Sequence, residues 1–274
     1  MRTDSRPRRA PFFAGALVSA AAFVGVYVFF VRTRLGQIVD ERALAGAENW
    51  PAGLEGSAEQ LLEVLPTIAT VAAAILVIVI VLVRRNGRVA LAAASAALAA
   101  NVSTQVLKAA LDRPDNGVSD ALVNSLPSGH TTAAAAASLA VFLVSSPRLR
   151  PVVAALGALF TTATGAATLL NQWHRPSDVV AAMAVVAFWG SAVGFVLAGV
   201  RLRDGVRARP GLAPLAWITI GCAVLGALGL GVTVAGATTG DSHLLIAYAG
   251  GVATIAAVAF LLAWLGAAAF RRLP

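Results

Sequence analysis

Apolar residues run in long uninterrupted blocks along this chain, and the polar positions fall between the blocks rather than alternating within them. A spanning helix needs about 20 mostly apolar residues. Eight blocks are candidates, at 12–31, 66–83, 89–108, 131–146, 151–172, 178–200, 215–236 and 244–269. Continuous blocks satisfy every backbone group internally only as helices, and a barrel would need alternation instead. The expected fold is therefore an all-α polytopic membrane bundle. Arg2, Arg6, Arg8 and Arg9 ahead of the first block give it the look of a signal peptide. Its length and the want of a small-residue cleavage site predict a retained helix.

The segments between the blocks divide the chain. An Arg-, Gly- and Pro-rich loop at 201–214 separates a six-helix core, 1–200, from a C-terminal two-helix extension, 201–274. The loop 32–65 is acidic, holds Trp50-Pro51 and a helix-like stretch at 57–65, and reads as a spacer. No internal repeat is visible.

Composition supports the membrane reading. Hydrophobic residues make up 58% of the 274 and charged residues 12%, where a soluble domain carries about a quarter charged residues. The net charge of +8 does not point to nucleic acid, because the basic residues sit in short clusters between apolar blocks and not on one stripe. With the N-terminus inside, the inner loops collect fifteen arginines, Arg84, Arg85, Arg88, Arg148 and Arg150 among them, against six basic residues outside. That bias puts both termini in the cytoplasm. The single cysteine, Cys222, lies within a block, reads as a small buried residue, and excludes an intrachain disulfide.

Chemistry gathers on the outer side. The chain has twenty arginines but one lysine, Lys108, which closes the third block and is followed by Arg113-Pro114. Pro127-Ser128-Gly129-His130 opens the fourth block, and Trp173-His174-Arg175-Pro176-Ser177-Asp178 opens the sixth. Lys108 and Arg113 can hold phosphate oxygens. Ser128 and Gly129 stand where a helix N-terminus presents free amides to an anion. One neutral histidine can attack phosphorus while another protonates the departing oxygen. His174 and Asp178, four apart, face each other across one helical turn, so the carboxylate can fix the imidazole tautomer. His243 has no such companion and reads as surface. Asn101, Gln105, Thr161, Thr164, Thr168 and Asn171 read as interhelical packing groups, and Gly226, Gly229 and Gly231 as a close-packing face.

Taken together these residues resemble the type 2 phosphatidic acid phosphatase superfamily over roughly 60–200. Its signatures are a Lys followed by Arg-Pro, then Pro-Ser-Gly-His, then Ser-Arg ahead of His-x-x-x-Asp. The resemblance implies that His174 is the nucleophile, forming a phosphohistidine, and that His130 is the acid for the leaving group. It implies Asp178 as the partner of His174, and Lys108, Arg113, Ser128 and Gly129 as the phosphate cradle.

Two positions depart from the pattern. Four residues separate Lys108 from Arg113, where the family usually has six. Either Arg113-Pro114 is the family's Arg-Pro, or Arg113 matches an earlier arginine and Asp115-Asn116 takes that place. Thr168 stands where an arginine is expected, six residues before His174, with Arg175 as a candidate replacement.

The implied activity is metal-independent hydrolysis of a phosphate ester or diphosphate on a membrane lipid at the outer surface. Polyprenyl diphosphate, phosphatidic acid and phosphatidylglycerol phosphate are the expected substrate types, and no cofactor is expected. The alternatives are transfer of the phosphoryl group to a lipid or glycan alcohol, and a non-catalytic binder of lipid phosphate. The last two blocks, which no motif uses, are free for a partner subunit or a homo-oligomer interface.

Overall fold

The computed structural model describes residues 9–48, 71, 75, 87–119, 123–199, 211–239, 243–271 and 273. Eight α-helices and no strands are found among them. They are α1 (Ala10–Val26), continued by a π-helical turn at Tyr27–Val31, α2 (Arg34–Glu48), α3 (Gly87–Ala110), α4 (Gly129–Val144), α5 (Arg150–Leu170), α6 (Pro176–Leu197), α7 (Ala213–Thr239) and α8 (Leu244–Phe270). Six are long and apolar enough to cross a membrane: α1 with its π turn, α3, α5, α6, α7 and α8. The protein is a multi-pass membrane protein. At 16 residues α4 is a shorter apolar helix, about 24 Å long. Apart from Val71 and Ile75, both helical, the expected span at 66–83 lies outside the described residues, as do the stretch at 57–65 and most of the loop 201–214.

The loop 32–65 is not a plain spacer. Its first part is α2, whose buried face is formed by Gly36, Gln37, Val39, Asp40, Ala43, Leu44, Gly46 and Ala47. Thr33 starts it: its hydroxyl oxygen accepts the Gly36 amide at 3.0 Å, an N-cap. The helix folds back tightly over the π turn, because a Cβ on Gly36 would collide with the Phe29 carbonyl.

Prolines begin several helices, Pro11 in α1, Pro151 in α5 and Pro176 in α6, where the missing N–H has no intrahelical partner to lose. α6 is sandwiched between α1, α3, α4 and α8. One apolar cluster joins Phe12, Phe142, Leu143, Leu197 and Phe270, and another joins Leu169, Val179, Met183, Tyr248 and Ile255. Leu91, Leu98, Leu156, Leu159, Trp217, Leu225 and Leu228 point outward, as apolar side chains do when the solvent is lipid.

α8 packs against α2, α5, α6 and α7. Glycine lets helices touch here: a Cβ on Gly229 would meet Gly250, and one on Gly226 would meet Thr254. Gly231, expected on the same face, looks onto open space. Cys222 is half-buried rather than interior, and His243 is exposed as expected.

Candidate active site

The C-terminal ends of α3 and α5 and the N-terminal ends of α4 and α6 meet at one end of the bundle. The turn from α5 into α6 is a Schellman motif. The Gln172 amide donates to the Leu169 carbonyl at 3.0 Å, and the Trp173 amide to Thr168 at 3.0 Å. Gln172 takes the left-handed conformation, φ 57°, that glycine ordinarily fills. The His174 amide also donates to the Thr168 carbonyl, at 3.2 Å.

That turn delivers His174 to Asp178. His174 Nδ1 lies 3.2 Å from Asp178 Oδ2, and both side chains are buried. The same carboxylate oxygen accepts the Ser125 hydroxyl at 2.7 Å and the Arg175 amide at 3.0 Å. A proton on Nδ1, facing Asp178, would leave Nε2 of His174 with a free lone pair.

The segment before α4 is held by its own polar groups. Asn124 brackets Leu126, donating to its carbonyl at 2.9 Å and accepting its amide at 3.2 Å, and the Leu126–Pro127 peptide is cis. The Ser128 amide donates to the Asp178 carbonyl at 2.9 Å, tying α4 to α6. Ser128 is the N-cap of α4, its hydroxyl oxygen accepting the Thr131 amide at 3.3 Å. A Cβ on Gly129 would meet only Gln105 Nε2, at 3.8 Å. A side chain at this position would therefore have room. His130 is stacked on Trp173, ring centroids 5.1 Å apart, and its ring lies 6.4 Å from that of His174.

The cations take different roles. Lys108, in the last turn of α3, is half-buried, and burial, then the charges of His174 and Lys108, lower the pKa of His130. Arg113 is 9% exposed, and its Nη2 has no partner among the described residues. Burial, then the repulsion of Arg175, pull its pKa below the ordinary arginine value, against the attraction of Asp40, Asp178 and Glu41. A buried guanidinium with an unpaired nitrogen has a donor to offer an anion. Its loop is strapped down by the Tyr27 hydroxyl on the Asp112 carbonyl, 3.0 Å, and by Gln37 Nε2 on the Pro114 carbonyl, 3.0 Å.

Arg175 is directed into protein instead. Its Nε meets Glu41 at 2.7 Å, and its terminal nitrogens reach Ser125 and Ser119 at 3.3 Å each. Thr168 is buried, with its hydroxyl donating to the Gly165 carbonyl at 2.8 Å.

The sequence model of the PAP2 superfamily matches residues 89–204. The chain carries a PAP2 superfamily domain. No curated protein and no solved structure matches the chain significantly. The PAP2 domain runs from α3 through α6 and includes Lys108, Arg113, Ser128, Gly129, His130, His174, Arg175 and Asp178. Membership of that superfamily suggests phosphatase-type activity on phosphate esters.

Other residues that shape the site lie outside the PAP2 domain, on α2. Asp40 is 1% exposed, and its carboxylate accepts the Ser177 amide at 3.0 Å and the Ser177 hydroxyl. Burial, then the charge of Asp178, push its pKa up to about 7. Glu41 holds Arg175, and Gln37 holds the Arg113 loop. Sequence reasoning passed over all three because the acidity of 32–65 hid the helical spacing of its buried positions. The stacking partner Trp173 and the Asp178 ligand Ser125 were inside or beside motifs but carried no distinguishing pattern.

Proposed function

We propose that this protein is a metal-independent lipid phosphatase working through a phosphohistidine. The observation that carries the reading is the buried His174–Asp178 pair, with a second histidine ring 6.4 Å away and the unpaired buried Arg113 Nη2 in the same cluster of charges.

His174 Nε2 attacks phosphorus, forming an N–P bond as the bond from phosphorus to the ester or diphosphate oxygen breaks. His130 gives its proton to that departing oxygen. Water then attacks phosphorus, losing its proton to His130, and the N–P bond breaks to release inorganic phosphate and free His174. Asp178 stabilises the positive charge that develops on the His174 ring. Arg113, Lys108 and the amides at Ser128–Gly129 hold the phosphoryl oxygens, so catalysis rests on positioning and charge.

The substrate's acyl or prenyl chain lies among the outward-pointing apolar side chains of the bundle while its phosphate enters at the helix ends. Polyprenyl diphosphate, phosphatidic acid and phosphatidylglycerol phosphate fit that chemistry. The arginine bias of the loops supports cytoplasmic termini, with this end of the bundle at the outer surface.

Purified protein in detergent with EDTA, given those three lipids, tests the reading. Phosphate release that survives EDTA and disappears in His174→Ala is expected. Release abolished by EDTA, or retained in His174→Ala, would refute the mechanism. Label carried into a second lipid would instead establish transfer, and phosphate affinity without turnover a binding protein.

A further inference from the structure

The helix α6 begins Arg175-Pro176-Ser177-Asp178, in which Pro176 and Asp178 suit a first turn but the N-cap residue does not. Its N-cap is Arg175, with no side-chain acceptor to offer the first free amides. Asp178 turns back to take the Arg175 amide, which leaves the Ser177 amide without a local acceptor. The missing acceptor comes from another helix. Asp40 of α2 takes both the amide and the hydroxyl of Ser177.

One turn away on the same helix, Gln37 Nε2 donates to the Pro114 carbonyl, the residue after Arg113, and to the Val31 carbonyl at 2.8 Å. Glu41 grips the Arg175 side chain. Three side chains within about one turn of helix therefore reach the two loops that bear the Arg113 guanidinium and the His174–Asp178 pair.

We propose that α2 is the positioning element of this site: Asp40 caps α6 from outside the PAP2 domain and Gln37 holds the Arg113 loop, together fixing the guanidinium relative to His174. The inference deepens the phosphatase reading and rests on it for its activity arm. Asp40, Glu41 and Gln37 are positioning residues, since none of them reaches the phosphate.

Two observations support a built device rather than incidental packing. Burying a carboxylate as fully as Asp40 is unfavourable unless it is hydrogen-bonded, and its bonds go to the residue preceding Asp178. In addition, α2 cannot slide or tilt freely. A Cβ on Gly46 would strike the Leu244 carbonyl, and one on Gly251 of α8 would crowd Pro176 and touch Ala43. The helix is thereby clamped between the start of α6 and the start of α8.

The test uses full-length protein with Asp40→Ala, Asp40→Asn and Gln37→Leu, checked first for unchanged elution and cooperative melting. A misplacement of the order of an ångström costs roughly 10²-fold in rate. Asp40→Ala is expected to lower kcat by about 10- to 100-fold with little change in KM. Asp40→Asn, which keeps an oxygen facing the Ser177 amide, is expected to restore most of that loss. Gln37→Leu is expected to weaken competitive inhibition by inorganic phosphate about tenfold, since it frees the Arg113 loop.

The second readout does not need turnover. With three histidines in the chain, histidine-selective ¹⁵N labelling gives a pair of ring signals from each of three rings, assigned by substitution. In Asp40→Ala the His174 ring signals should move and the exposed His243 signals should not. Wild-type kcat in Asp40→Ala with an unmoved His174 signal would overturn the proposal. So would an Asp40→Asn variant as impaired as Asp40→Ala. If the wild-type protein releases no phosphate, the phosphatase reading fails by itself, and the His174 signals still decide whether α2 sets the site.

Discussion

Asp178 Oδ2 is the meeting point of the site: 3.2 Å from His174 Nδ1, it also accepts the Ser125 hydroxyl and the Arg175 amide. A carboxylate so fully ligated does not move, and it holds the imidazole in one orientation and one tautomer. Replacing it with Asn keeps the shape but lets an amide N–H face Nδ1, reversing the tautomer and removing the proton acceptor. Asp178→Asn is therefore expected to lower kcat by roughly 10²- to 10⁴-fold with KM nearly unchanged. Steady-state kinetics on the best lipid substrate check this. A variant that loses affinity while keeping kcat would show that Asp178 serves binding instead.

Arg113 is expected to trade stability for function. Its Nη2 is buried with no partner among the described residues, and burial and Arg175 disfavour its charge more than Asp40, Asp178 and Glu41 favour it. Apolar replacement of such a buried charge is often neutral or stabilising. Arg113→Met should melt no lower than the wild type without ligand, while kcat/KM falls by about 10²- to 10³-fold, the scale for losing one donor to a transition-state anion. Arg113→Lys, lacking the forked geometry, should recover only part of that activity. Paired melting and kinetic measurements decide it: a large loss of stability in Arg113→Met would mean the guanidinium is structural.

The pH dependence of stability should carry the signature of Asp40. Its folded pKa is about 7 against an ordinary 3.8, so the native state binds this proton more tightly than the unfolded chain does. The corresponding stability is fully present below about pH 4 and is lost as pH rises to about 7. Melting temperatures in detergent should therefore fall between pH 5 and pH 7 in the wild type. In Asp40→Asn, which cannot ionise, that component of the fall should vanish. Parallel wild-type and variant curves would refute the assignment.

The legible parts of this molecule were those whose pattern is local. Apolar blocks marked the helices because lipid demands continuous apolar length, and His174 and Asp178 were readable as a pair because a helix fixes the i, i+4 geometry. The positioning layer was not readable, because Asp40–Ser177 joins residues 137 apart and Gln37–Pro114 residues 77 apart. Only the fold creates those contacts. A weaker signal was present in α2, where Gly36, Asp40, Ala43 and Ala47 recur at helical spacing on the buried face. The capless Arg175-Pro176 start of α6 was a second, since it demanded an acceptor from elsewhere. Arg175 is the clearest lesson in ambiguity: beside His174 in sequence, it is directed to Glu41, Ser125 and Ser119.

Arg150 gives a test at the far end of the bundle. By sequence it was one of the inner cations that set topology, yet it is 2% exposed. Its guanidinium donates to the Phe270 carbonyl at 2.8 Å, to Leu273 at 2.6 Å and to Leu143 at 3.2 Å, and lies over the Phe142 ring. It thus satisfies carbonyls left free where α4 and α8 end, with a charge of the sign the helix dipole favours there. Arg150→Leu would leave those carbonyls buried and unpaired, with an expected loss of about 1–3 kcal/mol for each one left unsatisfied. Lys, a single point donor, should restore only part of it. Because Arg150 lies at the opposite end of α4 from His130, kcat per folded molecule should not change. Thermal unfolding in detergent and activity normalised to folded protein separate the two effects. An unshifted melting temperature in Arg150→Leu would mean that water or lipid headgroups satisfy the helix ends as well as Arg150 does.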